Sequence, residues 1–218
     1  MMYPRPTPSP WTVLEYSLPC PVSRFVENGW VVQYKSNEVD IASITIDGKS
    51  YNTELNLSKG DYRLSHVYIL NVLDDPRPIS ELSVAGMTFY REGSEDSSYG
   101  LKPDMLTMAN GLQLGMSVSD ALAACNITLE MKEDGNSFYL KNPLSSGESK
   151  YTTATSFSFD YRVEDSGSTG IRSMGSLPYG ENSCAVSFTD SLVSDTAVVD
   201  TIQLKFLYPT AEELAAME

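Results

Sequence analysis

Two segments of this chain alternate residue by residue between apolar and polar side chains, and a period of two is the signature of a half-buried β-strand. In one, Phe157, Phe159 and Tyr161 oppose Ser156, Ser158 and Asp160; in the other, Ile202, Leu204 and Phe206 oppose Gln203 and Lys205. Successive strand side chains leave opposite sides of the backbone, so each segment has one dry and one wet face, as antiparallel sheets do. Cys184 to Thr189 is expected to pair with them. Runs rich in β-branched and aromatic residues at 11–18, 30–34, 64–73 and 82–90 extend the β character, with Asp74-Asp75-Pro76-Arg77-Pro78 as a break.

Helix signals are few and short. Cys20-Pro21-Val22-Ser23 opens a helical turn that runs to Asn28 and stops at Gly29, with proline at its start and glycine past its end. Ser117 is placed to cap a second helix and Asp120 to answer it, leaving Val118, Leu122 and Cys125 on one face. A third, after Pro209, starts with the capping box Thr210-Ala211-Glu212-Glu213 and runs through Met217. Asp47-Gly48, between 43–46 and 51–57, predicts a tight hairpin, and Asp134-Gly135-Asn136, between 127–132 and 137–141, a second. Residues 164–180 read as a long, small, polar loop.

Strands with segregated short helices give an α+β class: antiparallel β-sheets with short helices on one face. The order helix, then antiparallel sheet, occurs twice, so the chain divides into a Pro-rich tether (1–10), a first helix-plus-sheet half (11–91) and a similar second half (104–218). The Gly, Ser and acidic stretch 92–103 is the internal boundary. The alternating prolines of the tether hold an extended backbone, and a signal or anchor segment is expected to have preceded it.

Charge narrows the partners. With 15 Lys and Arg against 29 Asp and Glu the net charge is -14 among 218 residues, a field that repels nucleic-acid phosphates and anionic lipid alike. The acidic residues are scattered through turns, which reads as a solvating surface. No run approaches the roughly 18 apolar residues of a spanning helix. Cys20, Cys125 and Cys184 lie far apart, without metal-ligand or redox spacing. They read as buried free thiols, or, in an exported protein, as one disulfide and a spare thiol whose pairing stays open.

The stretch Leu112-Gln113-Leu114-Gly115-Met116-Ser117-Val118-Ser119-Asp120-Ala121-Leu122 resembles the helix-opening motif of small SmpA/OmlA-type lipoproteins and of the β-lactamase inhibitor protein fold. It departs from them after the helix, where Cys125-Asn126 replaces the usual glycine and the following proline is absent. The landmarks Leu18-Pro19-Cys20-Pro21-Val22-Ser23, Asn28-Gly29-Trp30, Leu70-Asn71 and then the Gly115-Met116-Ser117 turn make the chain similar to uncharacterised exported or lipoprotein-like proteins of Gram-positive gut bacteria. The resemblance implies a helix packed on an antiparallel sheet and an extracellular or cell-surface location, and it brings no catalytic residues.

No phosphate-binding loop, dinucleotide fingerprint, zinc motif, calcium loop or nucleophile elbow is present, so no catalytic, cofactor or metal residue is assigned. His66 would share a strand face with Leu64, Tyr68 and Leu70, which makes it a core or edge histidine rather than a general base. Trp30 reads as core rather than as a partner anchor, while Trp11 is open between the two. The expected function is therefore a non-enzymatic cell-envelope module that binds a protein or peptide. The alternative is a small-molecule or glycan binder, or a hydrolase, using a tyrosine-lined cleft between the halves.

Overall fold

Alternation becomes strand pairing throughout the structure, a computed structural model that describes residues 12–13, 16–34, 37–94, 100–102, 106, 108, 110–132, 138–141, 148–151, 155–160, 172–174, 177–179 and 182–206. In chain order these form β1 (Thr12–Val13), β2 (Tyr16–Ser17), β3 (Cys20–Pro21), α1 (Val22–Glu27), β4 (Val31–Tyr34), β5 (Asn37–Glu38), β6 (Thr45–Ile46), β7 (Ser50–Lys59), β8 (Tyr62–Asn71) and β9 (Arg77–Pro78). A 3-10 turn, Ile79–Glu81, leads into β10 (Ser83–Tyr90). Then come α2 (Val118–Ala124), β11 (Thr128–Met131), β12 (Phe138–Lys141), β13 (Glu148–Tyr151), β14 (Ser156–Asp160), β15 (Arg172–Met174), β16 (Leu177–Tyr179), β17 (Asn182–Phe188) and β18 (Val199–Phe206).

The architecture is mostly antiparallel β-sheet with two short α-helices among the described residues. Nine strands share one sheet, ordered β14-β17-β18-β10-β8-β7-β4-β5, with β3 beside β10. One edge of β10 is divided between two partners: Ser83 and Val84 pair with β3, and Gly86 to Tyr90 pair with β18. The expected alternation holds where it was clearest, since Phe157, Ile202 and Leu204 are buried while Gln203 and Lys205 are partly open. As expected, β17 pairs with both segments and lies between them.

Both helices contribute to one continuous apolar cluster under the sheet. Val22 and Phe25 of α1 and Val118, Ala121 and Leu122 of α2 join Met87, Phe89, Val186, Ile202 and Leu204. Phe25 is stacked on Tyr16 with ring centroids 4.0 Å apart and meets Trp30 edge-on at 6.5 Å, so Trp30 is core, as read. Each large apolar side chain buried this way contributes roughly 1.5–3 kcal/mol.

The helices end identically. After α1, Gly29 N–H donates to the Val26 carbonyl and Trp30 N–H to Phe25; after α2, Asn126 N–H donates to Ala123 and Ile127 N–H to Leu122. This paired closure needs a left-handed residue just past the helix, usually glycine. Gly29 supplies it at φ 83° and Asn126 at φ 53°, so Asn126 does the work of the glycine that the sequence lacks there. At the start of α2, Ser117 Oγ accepts the Asp120 N–H at 3.2 Å, the cap expected from the sequence.

Four expectations are corrected. Asp47-Gly48 does not join a hairpin: β7 pairs with β8, and β6 pairs with β9. The reason is a tertiary clamp at Asn71, whose buried amide shares its two N–H groups among the carbonyls of Ile46 (3.0 Å), Asp47 (3.1 Å) and Asp75 (2.9 Å) and accepts the Leu73 N–H. The clamp folds the turn onto the 73–75 loop, while ten apolar-rich residues of β8 offer β7 a longer ladder than 43–46 could. Residues 11–18 are not one strand, because β1 and β2 pair with each other. The loop 164–180 contains the hairpin β15–β16. His66 leaves the face expected of it, for a reason given below. The tether 1–10, Trp11, the turn at Asp134 and the helix from Thr210 lie outside the described residues.

The described part of the acidic stretch after β10 is stitched down. Ser94 Oγ donates to Asp200 Oδ2 at 2.5 Å, Arg91 forms an ion pair with Asp200 at 3.1 Å, and Leu101 N–H donates to the Tyr90 carbonyl at 2.7 Å. A hydrogen bond to a charged group contributes about 1.5–3 kcal/mol when shielded, so this contact fixes the start of β18 against the end of β10.

Two substitutions test these locks by urea unfolding. Asn71→Ala leaves three carbonyls and one N–H without their partner and should lower stability by about 2–3 kcal/mol. Asn126→Ala should cost about 1–2 kcal/mol, whereas Asn126→Gly should cost nothing measurable, because only the left-handed backbone is being asked of that position.

Candidate functional site

The central sheet has two unlike faces. One is sealed by the core: Leu64, Val67 and Ile69 of β8, Met87 and Phe89 of β10, Cys184 and Val186 of β17, and Ile202 and Leu204 of β18. On the other, strand parity places small polar and aromatic groups. Register aligns Ala185, Gln203 and Thr88 in one row and Ser187, Thr201 and Tyr90 in the next. With Thr53, His66 and Tyr68 they line an open hollow of about 320 Å³.

His66 and Tyr68 reach this face through a β-bulge. Leu57 is the partner of Leu64 and Leu55 the partner of Val67, so β8 spends three steps where β7 spends two. The extra residue inverts the alternation within the strand. His66 takes the left-handed conformation at φ 46°, its N–H donates to Asn56 Oδ1 at 3.3 Å, and its side chain is exposed. The expectation that it shares a face with Leu64 is therefore corrected: Leu64 faces the core and His66 the hollow.

A short polar relay organises the hollow's centre. Gln203 Nε2 donates to Thr88 Oγ1 at 3.3 Å and to Tyr68 Oη at 3.4 Å. The Tyr68 ring stacks against Tyr51 with centroids 6.2 Å apart, and Lys205 Nζ lies 5.3 Å from its centroid. Gly86 makes that contact geometrically available. It is the partner of both Tyr68 and Lys205, so the two long side chains converge over a residue that has none. A Cβ on Gly86 would stand 2.3 Å from the Leu204 carbonyl oxygen, which excludes any other residue from this central position.

The lining offers hydroxyls, one amide, one imidazole and two phenol rings, and no carboxylate among the described residues. Among the described residues no group of three or more His, Cys, Asp or Glu is placed to hold a metal ion. No helix among the described residues is long and apolar enough to cross a membrane. The arrangement can hold a polar ligand by hydrogen bonds and ring contacts on a rigid floor.

The thiols lie elsewhere. Cys20, Cys125 and Cys184 are free and buried. Burial pushes the Cys125 thiol up to about 12, against the opposing pull of the Asn110 side chain. Burial, with Cys125 as a secondary cause, raises Cys184 well above the ordinary value, and burial raises Cys20 despite Arg24. A nucleophilic thiolate is the opposite of what these surroundings favour.

The wet faces of single strands, Gln203's among them, are legible in the sequence, but nothing there marks out the residues of the hollow as a group. The alternation was the available signal. What it lacked was the adjacency of β10 and β18, which brings Thr88 beside Gln203 across a separation of 115 residues. The chain matches no family model, no curated protein and no solved structure.

Thiol titration provides the check. At pH 8 the folded protein should react negligibly with a thiol reagent, and all three cysteines should react after denaturation. Because the folded Cys125 holds its proton up to about 12 while an unfolded one loses it near 9.0, its contribution to stability is complete below 9.0 and falls away as the pH climbs from there toward 12. Urea midpoints should decline across that window, and less so in Cys125→Ala.

Proposed function

We propose that this chain is a non-enzymatic binding module of the cell envelope, with the open face of its central sheet as the recognition surface. The observation that carries the reading is the contrast between the two faces. One is closed by a continuous apolar core, and the other presents a hollow of hydroxyl, amide and phenol groups. Groups mounted on strands are held by the backbone ladder, so little ordering is needed when a partner arrives. The envelope location rests on the resemblance of the landmarks Leu18-Pro19-Cys20-Pro21-Val22-Ser23, Asn28-Gly29-Trp30, Leu70-Asn71 and Gly115-Met116-Ser117 to exported or lipoprotein-like proteins of Gram-positive gut bacteria.

The same reading includes two similar halves, 11–91 and 104–218, behind a Pro-rich tether. It draws support from the matching helix ends at Gly29 and Asn126 and from the central pairing of β10 with β18. On that division the hollow straddles both halves, with Thr53, His66, Tyr68, Thr88 and Tyr90 from the first and Ala185, Ser187, Thr201 and Gln203 from the second.

Filling the hollow tests the proposal. Thr201→Arg places a long cation on the open face without touching the core, and circular dichroism should show an unchanged fold. Retention of envelope extract by the immobilised protein, at low and moderate salt, should fall by about tenfold or more, equivalent to roughly 1.4 kcal/mol of contact. Retention equal to that of the parent protein would place recognition on another surface.

A further inference from the structure

We infer that the ligand of this hollow is a neutral saccharide, a conclusion that rests on reading the open sheet face as the recognition surface. The first ground is hydrogen-bond type. Threonine, serine and tyrosine hydroxyls each donate and accept, while the Gln203 amide, its two N–H groups turned to Thr88 and Tyr68, leaves its oxygen to accept. Thr53, Thr88, Ser187 and Thr201, with the phenols of Tyr68 and Tyr90, surround the hollow with such two-way groups. A sugar hydroxyl also donates and accepts, so a face of this kind can satisfy a ring bearing several of them. A peptide offers fixed donors and acceptors, and an anion only acceptors.

The second ground is charge. Among the described residues the lining holds no carboxylate, lysine or arginine, the one cation at its rim, Lys205, lies against the Tyr68 ring, and the chain carries a net charge of -14. That field disfavours phosphates, uronates and other anions, and the lining lacks the carboxylate that would single out a cationic ligand. The third ground is the aromatic rim. Tyr51 is 39% exposed and stacks on Tyr68 at the hollow's edge. The electron-rich face of such a ring suits the apolar, weakly positive C–H face of a sugar. Fourth is size: about 320 Å³ falls at the small end of ligand sites, which run from roughly 300 to 1,000 Å³. A protein partner would be expected to insert a large apolar anchor into a dry pocket, and the hollow, lined by hydroxyls, provides none.

The test uses the full chain immobilised and exposed to envelope extract in three portions: untreated, digested with proteinase K, and oxidised with periodate, which cleaves the vicinal diols of sugars. Retention should survive the protease and fall at least tenfold after periodate. In parallel, calorimetric titration with neutral gluco-, manno-, galacto- and N-acetylglucosamine oligosaccharides should give binding by at least one of them. Gln203→Ala and Tyr51→Ala should weaken it at least tenfold, while Met131→Ala, an exposed change outside the lining, leaves it intact. Thermal melting of each variant separates lost binding from lost fold.

Retention abolished by the protease but resistant to periodate, and lost in Thr201→Arg, overturns the saccharide and leaves the binding surface standing, with a protein as its partner. Oligogalacturonate binding as tightly as any neutral oligosaccharide overturns the claim of neutrality. No binding by any oligosaccharide, together with retention that Thr201→Arg leaves unchanged or with no retention at all, overturns both the ligand class and the surface.

Discussion

Everything on both sides of the sheet depends on the pairing of β10 with β18. β10 is buried nearly from end to end, and its partner begins more than a hundred residues later, as the separations of 106 and 115 residues in the Ser94–Asp200 and Thr88–Gln203 contacts show. Closing so long a loop costs chain entropy that local hairpins avoid. The return is spread over three kinds of contact: an antiparallel ladder from Gly86 to Tyr90, the apolar side chains beneath it, and the Asp200 cluster at its end. Gly86 sets how closely the two strands can approach. With a side chain there, the ladder would open at its centre and the Tyr68–Lys205 contact above it would part.

Buried polar groups act here as locators rather than as reservoirs of stability. The Asn71 amide decides which segments meet, because its three carbonyl acceptors come from the end of β6 with the turn after it and from the 73–75 loop, and a register error would leave it buried without partners. Asp200 performs the same office for the chain leaving β10. An apolar residue at either place would pack as well but would not discriminate among the neighbouring turns. Specification by hydrogen bonding explains how a chain with such short helices and several two-residue strands still settles on one arrangement.

The sequence made the β character, both described helices, the Ser117 cap and the buried thiols legible, because each is written in adjacent residues. The pairing of β11 with β12 was legible too, since its strands are close in the chain. Misreadings arose where a distant contact outweighed a local signal. Asp47-Gly48 has the chemistry of a hairpin, yet Asn71, 24 residues on from Asp47, takes its carbonyl for another purpose. The hollow escaped for a related reason. Thr88, Tyr90, Ser187 and Thr201 are unremarkable in their own strands and acquire meaning only as neighbours. Parity could be counted forward from Leu64, but nothing in the β8 sequence announces the bulge at His66.

That bulge divides the molecule's interior from its exterior by counting rather than by chemistry. Strand β8 carries apolar residues on both sides of the irregular step, and a single surplus residue decides which of them are enclosed and which groups are displayed. The character of a whole surface is therefore governed by backbone length at one point. A lineage could exchange what this face shows by losing or moving one residue, with every side chain elsewhere in the strand left unaltered.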